Sequence, residues 1–312
     1  MTSGMTSGMT SAPPTTGTTP RRTPPGQRFA RLWGKYAPKL GLRLILWFLL
    51  IFFLLPLVWA VTASLKSRVE LYQTDPHLLV WQPTLANYTF ALRKLQNFPA
   101  FYRNSIIVTL GAVVVQTTLA TLAGYGFARL RFRGRDLIFY SMILFIFVPR
   151  AGGLMAQYEL MNFLGLRNNL FGLVLALSAG LAVPTFIMRQ AFLGLPNEFE
   201  DAARIDGCNR FQIFRHIMLP LVTGAMVVVA LFEFIRVWGE YLLTLTMIDD
   251  QQKYTLGIGM VQQFSSATLE FGTFTSYGGQ AAAYVMAAAP VVLFFLALQR
   301  WFVRGLLSGL KL

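Results

Sequence analysis

Four stretches of this chain, residues 44–65, 105–128, 168–188 and 280–299, contain no Asp, Glu, Lys or Arg. A helix needs about 20 apolar residues to cross a bilayer core of about 30 Å, and each stretch meets that length. A soluble domain large enough to bury four such helices would be rich in charge elsewhere. Only 13% of these 312 residues are charged and 55% are hydrophobic, with mean hydropathy +0.53. Soluble proteins carry about 25% charged residues. Two further windows are interrupted: 137–158 by Arg150, and 219–243 by Glu233, Arg236 and Glu240. The expectation is an all-α polytopic membrane protein with six transmembrane helices, four uninterrupted by charge and two carrying it.

The net charge of +14 would suggest nucleic acid in a soluble protein. Its distribution points to a membrane instead. With the N-terminus inside, six spans place four segments in the cytoplasm: the tail to Arg43, the loop from Arg129 to Arg135, the segment from Arg189 to Arg215, and the end from Arg300 to Lys311. They hold 18 of the 27 Lys and Arg, as the positive-inside rule requires, and basic flanks also meet anionic lipid heads. Both termini are therefore expected in the cytoplasm. The single cysteine, Cys208, excludes an internal disulfide. His77 and His216 are too few and too far apart for a histidine-rich metal site.

Residues 1–28, with their MTSG repeats, Pro and Thr, cannot bury a core, and residues 1–43 are expected to form a disordered basic tail. The transmembrane body is expected over 44–312. The first apolar stretch exceeds the 7–15 residues of a signal core and reads as a retained span. A short turn, GLRNN from Gly165 to Asn169, joins spans 3 and 4. Residues 66–104 and the stretch after DDQQK, from Asp249, read as external.

Between spans 4 and 5 lies EFEDAARIDGCNRFQIFRHIMLP, Glu198 to Pro220, with seven charged residues. Asn197 with Glu200 at the third position has capping-box spacing, and Asn209 with Gln212 repeats it. Gly207 suits the residue after a helix end, and Pro220 the first turn of span 5. Phe199, Ala202, Ala203 and Asp206 are expected on one flat face, Phe211 and Phe214 on one side of the second helix. The segment, 196–218, thus reads as two short helices around a glycine turn. It is either an amphipathic connector on the lipid surface or a knob docking in a partner's groove. Its tether between two spans argues against a DNA-reading helix–turn–helix.

The run DAARIDG, nine residues, then IMLP (Asp201 to Pro220) resembles the Glu-Ala-Ala signature of bacterial ABC-importer permeases, with Asp201 where the family usually has Glu. The resemblance extends along most of the chain and is closest to sugar-importer permeases of the maltose-transporter type. It is carried by Asn87-Tyr88, by FYRNS (Phe101 to Ser105), by GYGFARLRFRGR (Gly124 to Arg135), by VWGEYL (Val237 to Leu242), where the family often has Trp-Asn-Asp, and by the ending PVVLFFLALQRWFVRGLLSGLK. It implies a binding-protein-dependent importer permease in the inner membrane, transporting sugar and performing no catalysis itself. The partners implied are a second homologous permease, two ATP-binding subunits and an extracytoplasmic sugar-binding protein. By the same resemblance, Glu200, Asp201, Ala202, Ala203, Asp206, Gly207, Phe211, Phe214 and Pro220 couple the chain to the ATPase, and SGLKL (Ser308 to Leu312) also reaches it. ATP is then hydrolysed by the partner subunits, since no G-x-x-x-x-G-K-[ST] occurs here.

Glu233, Arg236 and Glu240, at i, i+3 and i+7, share a face of a continuous span 5. Counted from Leu219, Glu233 lies roughly 21 Å along it. Charges at such depth face the bundle or a hydrated path. Two readings stand: carboxylates and Trp238 meeting a sugar, or an internal Glu–Arg pair and a helix end emerging into water. Arg150 either lines the path or pairs with Glu159. The candidate pathway residues are Arg150, Glu233, Trp238 and Glu240. A secondary carrier would require paired broken spans and an inverted repeat. A membrane enzyme would require a reactive cluster at depth.

Overall fold

The computed structural model describes residues 25–71, 77–95, 97–148, 150–269 and 277–308. The chain divides into two units, residues 1–57 and 58–312. Helix α1 (Pro25–Leu65) includes an apolar stretch long enough to span a membrane, Gly41–Leu65. The disordered tail expected over 1–43 therefore needs correction: helix begins at Pro25, and residues 1–24 lie outside the described residues. The physical reason is local. Pro25 suits a first helical turn, and the Arg, Leu, Ala and Lys that follow favour helix.

The second unit is built around one long helix. Short helices α2 (Arg68–Leu71) and α3 (Ala86–Lys94) precede α4 (Phe98–Arg129), a second uninterrupted span. Next come α5 (Arg135–Leu144) with a 3₁₀ turn at Phe145–Phe147, then α6 (Arg150–Phe163), α7 (Leu170–Ser178) and α8 (Ala182–Leu193). The polar segment forms α9 (Glu198–Ile205), α10 (Arg210–Gln212), a π-helical stretch (Ile213–Met218) and α11 (Leu219–Leu221). Helices α12 (Thr223–Trp238), α13 (Leu242–Met247), α14 (Leu256–Leu269) and α15 (Tyr277–Ser308) complete it. Helix α4 packs against α7, α8, α12 and α14, and α12 packs against α15.

Close approach along α4 depends on glycine. A Cβ at Gly124 would lie 2.5 Å from the Met188 Cβ and 2.9 Å from the Arg189 backbone nitrogen of α8. Gly124→Ala is expected to lower stability by about 1–3 kcal/mol through overpacking. A fall in the thermal unfolding temperature of the detergent-purified protein checks this, and an unchanged temperature would refute it.

The FYRNS run has a structural task. Asn104 donates to the carbonyls of Gln252 (2.7 Å) and Tyr254 (3.1 Å), and Ser105 Oγ accepts from the Leu256 N–H (2.7 Å). The start of α4 thereby holds the chain that follows DDQQK. That segment also meets the GLRNN turn, where Gly165 and Asn168 take positive φ. Arg167 pairs with Asp249 at 2.6 Å, and Asn168 Oδ1 accepts from the Asp249 and Asp250 amides. Asn87 donates to the Ser64 and Lys66 carbonyls, tying α3 to the end of α1 within the same unit.

Six spans are present only if bent helix pairs count as single crossings. Three helices are long and apolar enough alone, and three bent pairs bring the total to six among the described residues. Span 4, expected to be uninterrupted, bends by 55° between α7 and α8. Pro184 is the reason: it has no N–H to return to the Gly180 carbonyl one turn back. Span 5 is also not one helix. A 72° bend at Val222 separates α11 from α12, and α12 ends at Trp238. Pro220 thus stands in the short α11, before the bend and not in the first turn of the spanning helix. The depth count from Leu219 fails for the same reason. Counted from Thr223, Glu233 lies about 15 Å along α12.

Candidate functional site

The polar segment from Glu198 to Pro220 is shaped by its two turns. Helix α9 ends in a Schellman motif: the Gly207 N–H bonds to the Arg204 carbonyl (3.0 Å) and the Cys208 N–H to the Ala203 carbonyl (2.9 Å). Gly207 sits at φ +81°, where a side chain would be strained. Asn209 and Gln212 then form a complete capping box, each side chain bonded to the other's backbone N–H. Both features follow the sequence reading.

Asn197 does not. Its own backbone is helical and its side chain caps nothing; it accepts instead from the Arg129 guanidinium at the end of α4. Glu200 is likewise taken from its capping role. Only 6% exposed, it is paired with Arg129 (Nε–Oε1 3.4 Å) and Arg204 (3.3 Å). The flat face expected of Phe199, Ala202, Ala203 and Asp206 is also divided. Ala203 packs inward with Met188, Phe192, Ile213 and Met218, while Phe199, Ala202 and Asp206 are exposed. Phe214 turns in against Tyr125, ring centroids 4.8 Å apart, whereas Phe211 is exposed. The outward surface therefore comprises Asp201, Ala202, Ile205, Asp206, Gly207 and Phe211. Ile205, missed by the sequence reading, is 87% exposed, an apolar side chain at the tip of the turn.

A second candidate lies midway along the bent span 4. Residues 179–181 leave the helix between α7 and α8, and the backbone groups so released find side-chain partners. Gln116 of α4 donates to the Gly180 carbonyl (3.0 Å), and Arg236 of α12 donates to the Leu177 carbonyl (2.6 Å). Gln157 of α6 donates to the Ala176 carbonyl (2.8 Å). Irregular backbone at such depth is tolerated only where protein or a cavity satisfies it. Here both occur, for Ala179 to Pro184 border a cavity of about 760 Å³ together with Gln116, Phe232, Glu233 and Arg236.

Glu233 and Arg236 form the internal pair that one reading anticipated. Nε of Arg236 donates to Oε2 at 2.7 Å, and a second bond from Nη2 reaches Oε1. Glu233 is 3% exposed. The pair is internally satisfied and also forms part of the cavity wall. Trp238 and Glu240 are placed differently from expectation. Trp238, five residues on from Glu233, points to the opposite side of α12. Its indole N–H donates to the Ala287 carbonyl of α15 (2.8 Å) and its ring stacks on Phe234. It borders no part of the cavity. Glu240 lies beyond the end of α12, off the shared helical face, and its carboxylate accepts from the Leu243 N–H at the start of α13 (3.0 Å). The Arg150 side chain lies outside the described residues, as do residues 309–312 of the terminal SGLKL.

Gln116 and Arg129 were not singled out from the sequence. Gln116 had a weak signal, the only side-chain amide in an otherwise charge-free span. Arg129 had none, since it stands among four similar arginines until the helix end selects it.

Residues 116–308 match the model of a family described as the binding-protein-dependent transport system inner membrane component. The arabinooligosaccharides transport system permease protein AraQ of Halalkalibacterium halodurans is 31% identical, covering 88% of this chain and 98% of that protein. The maltose/maltodextrin transport system permease protein MalG of Vibrio vulnificus is also 31% identical, covering 85% and 92%. A bacterial ABC transporter that imports the acidic polysaccharide alginate shares the fold. Its TM-score is 0.75 at 23% identity, covering 91% of this chain and 100% of that one. The all-α, multi-pass architecture and these relatives lead to one conclusion: this chain belongs to the binding-protein-dependent transport system inner membrane components, the permease subunits of ABC importers.

Proposed function

We propose that the chain forms half of the translocation path of a carbohydrate importer. It works beside a second homologous permease, two ATP-binding subunits that hydrolyse ATP, and an extracytoplasmic sugar-binding protein. The chain itself binds no nucleotide and catalyses no reaction, and both termini are cytoplasmic. The observation that carries the reading is the break at 179–181 beside the cavity. Gln116 is 1% exposed and its Oε1 has no hydrogen-bond partner among the described residues. A buried acceptor without a bond is costly, and a passing hydroxyl satisfies it. Sugars supply hydroxyls that donate and accept, and the relatives named above are permeases for oligosaccharides.

The outward surface from Asp201 to Phe211 is the docking element for the ATPase in this reading. Exposed Ile205 and Phe211 supply the apolar contact, and Asp201 and Arg204 supply orientation. The bent spans are a feature that secondary carriers share, but family membership favours the importer.

The test is to purify the assembled complex and measure ATP hydrolysis with its binding protein and a panel of neutral oligosaccharides. Stimulation by one or more of them is expected. Stimulation by none of them, where amino acids or inorganic ions added to the same complex do stimulate, would overturn the carbohydrate assignment.

A further inference from the structure

Resting on the docking role just proposed, the geometry points to Arg129 as the residue that transmits movement of the docking element to α4. We propose that its guanidinium is the mechanical joint between the cytoplasmic segment and the membrane body.

Arg129 is the last residue of α4, with its side chain 8% exposed. Its Nη2 donates to the carbonyls of Phe192 and Leu195, where α8 ends, and its Nη1 to Oδ1 of Asn197. Its Nε faces the Glu200 carboxylate at 3.4 Å, inside α9. The whole path from the end of α8 into α9 is thus folded round one side chain. Only the rigid, planar fork of arginine presents donors in three directions at once; a lysine ammonium on its flexible stem does not.

The other apolar contacts of α9 are few. Ala203, with its small methyl, is its one buried hydrophobic residue. A force on α9 therefore passes into the body through the Glu200 and Asn197 contacts as well as through the chain itself. The receiving helix is the one that matters. Gln116 stands on the same continuous α4, 13 residues earlier or about 20 Å along its axis, and holds the Gly180 carbonyl at the cavity. One rigid rod carries the clamp at its end and the cavity donor near its middle. Displacing α9 then moves the groups that line the cavity, a rigid-body mode of switching.

The joint is a positioning device and touches neither ATP nor cargo, so its loss is expected to separate ATP hydrolysis from cavity movement. The test uses the full assembled complex with Cys208→Ser and Phe232→Cys, the latter placing a single thiol on the cavity wall. Maleimide labelling of that thiol is measured with and without Mg-ATP plus vanadate. In this parent the labelling rate is expected to change on nucleotide trapping. Arg129→Gln and Glu200→Gln are expected to reduce that change about fivefold or more, within the range of ordinary coupling effects. ATPase co-purification and hydrolysis should persist in both. Glu200→Gln keeps side-chain size and tests the same contact even where Arg129→Gln fails to assemble. The double variant is expected to be no worse than Arg129→Gln alone, because that change already removes the Arg129–Glu200 contact.

A full nucleotide response in Glu200→Gln, or strictly additive losses in the double variant, would overturn the joint. Loss of ATPase co-purification in both single variants would overturn it too, assigning the residues to the docking surface. A parent complex with no nucleotide response at all would instead overturn the docking reading beneath it.

Discussion

Arg236→Ala is expected to destabilise the protein by about 3–5 kcal/mol, the usual cost of removing one member of a buried ion pair. The change takes the guanidinium from a carboxylate that is 3% exposed and removes the donor from the Leu177 carbonyl at the bend of span 4. Two elements lose their connection together, α12 and the end of α7. Neutralising both members, Glu233→Gln with Arg236→Met, should recover much of the loss, because no charge then remains to be desolvated. Tryptophan fluorescence of the purified protein during heating measures both. A double variant as unstable as Arg236→Ala would show that packing, not charge, sets the cost. Transport should fall in the double variant even where stability returns, since the polar wall of the cavity is gone.

Gly207→Pro is expected to abolish uptake while the chain still enters the membrane. Proline holds φ near −65°, and Gly207 requires +81°. Backbone strain of this kind costs about 1–3 kcal/mol, and the bond from the Gly207 N–H to the Arg204 carbonyl is lost besides. Both effects open the turn between α9 and α10, which orients Ile205 and Phe211. Asp201→Lys is the companion change. Asp201 is exposed and meets only Arg204, at 3.5 Å, so its pair is worth about 0–1 kcal/mol. Its unfolding temperature should stay near that of the unaltered chain, while ATPase co-purification is lost in both variants. Normal co-purification and uptake in both would remove the docking role.

Legibility from sequence follows the range of the interaction. Gly207, the Asn209–Gln212 box and the GLRNN turn depend on neighbours within a few residues, and all appear as anticipated. The Glu233–Arg236 pair is also local, at i and i+3. Asn197 and Glu200 had the same cap spacing as Asn209 and Gln212, yet Arg129, some 70 residues away, claims both side chains. A cap contributes about 1 kcal/mol, whereas leaving a buried guanidinium without its acceptors costs more. The long-range partner wins.

Span 4 shows the same division within one helix. Gly180 and Pro184 were visible, but a charge-free window alone does not reveal a bend. Whether a chain bends there depends on what receives the released carbonyls, and those donors are Gln116 and Arg236, on other helices. Glu240 was misplaced because the helical face was extended past Gly239, where α12 stops, whereas Trp238, the last residue of α12, lies on the side that packs against α15.

Composition and spacing by themselves determined that the chain crosses the membrane about six times. They also placed the two-helix element with its glycine turn and gave the family likeness. These depend on apolar length and on contacts within a turn or two. Only the tertiary structure decided which charges are joints, which line the cavity and which merely cap. In a membrane interior every polar group must be satisfied, and the partner that does so is chosen by packing between helices, not by distance along the chain.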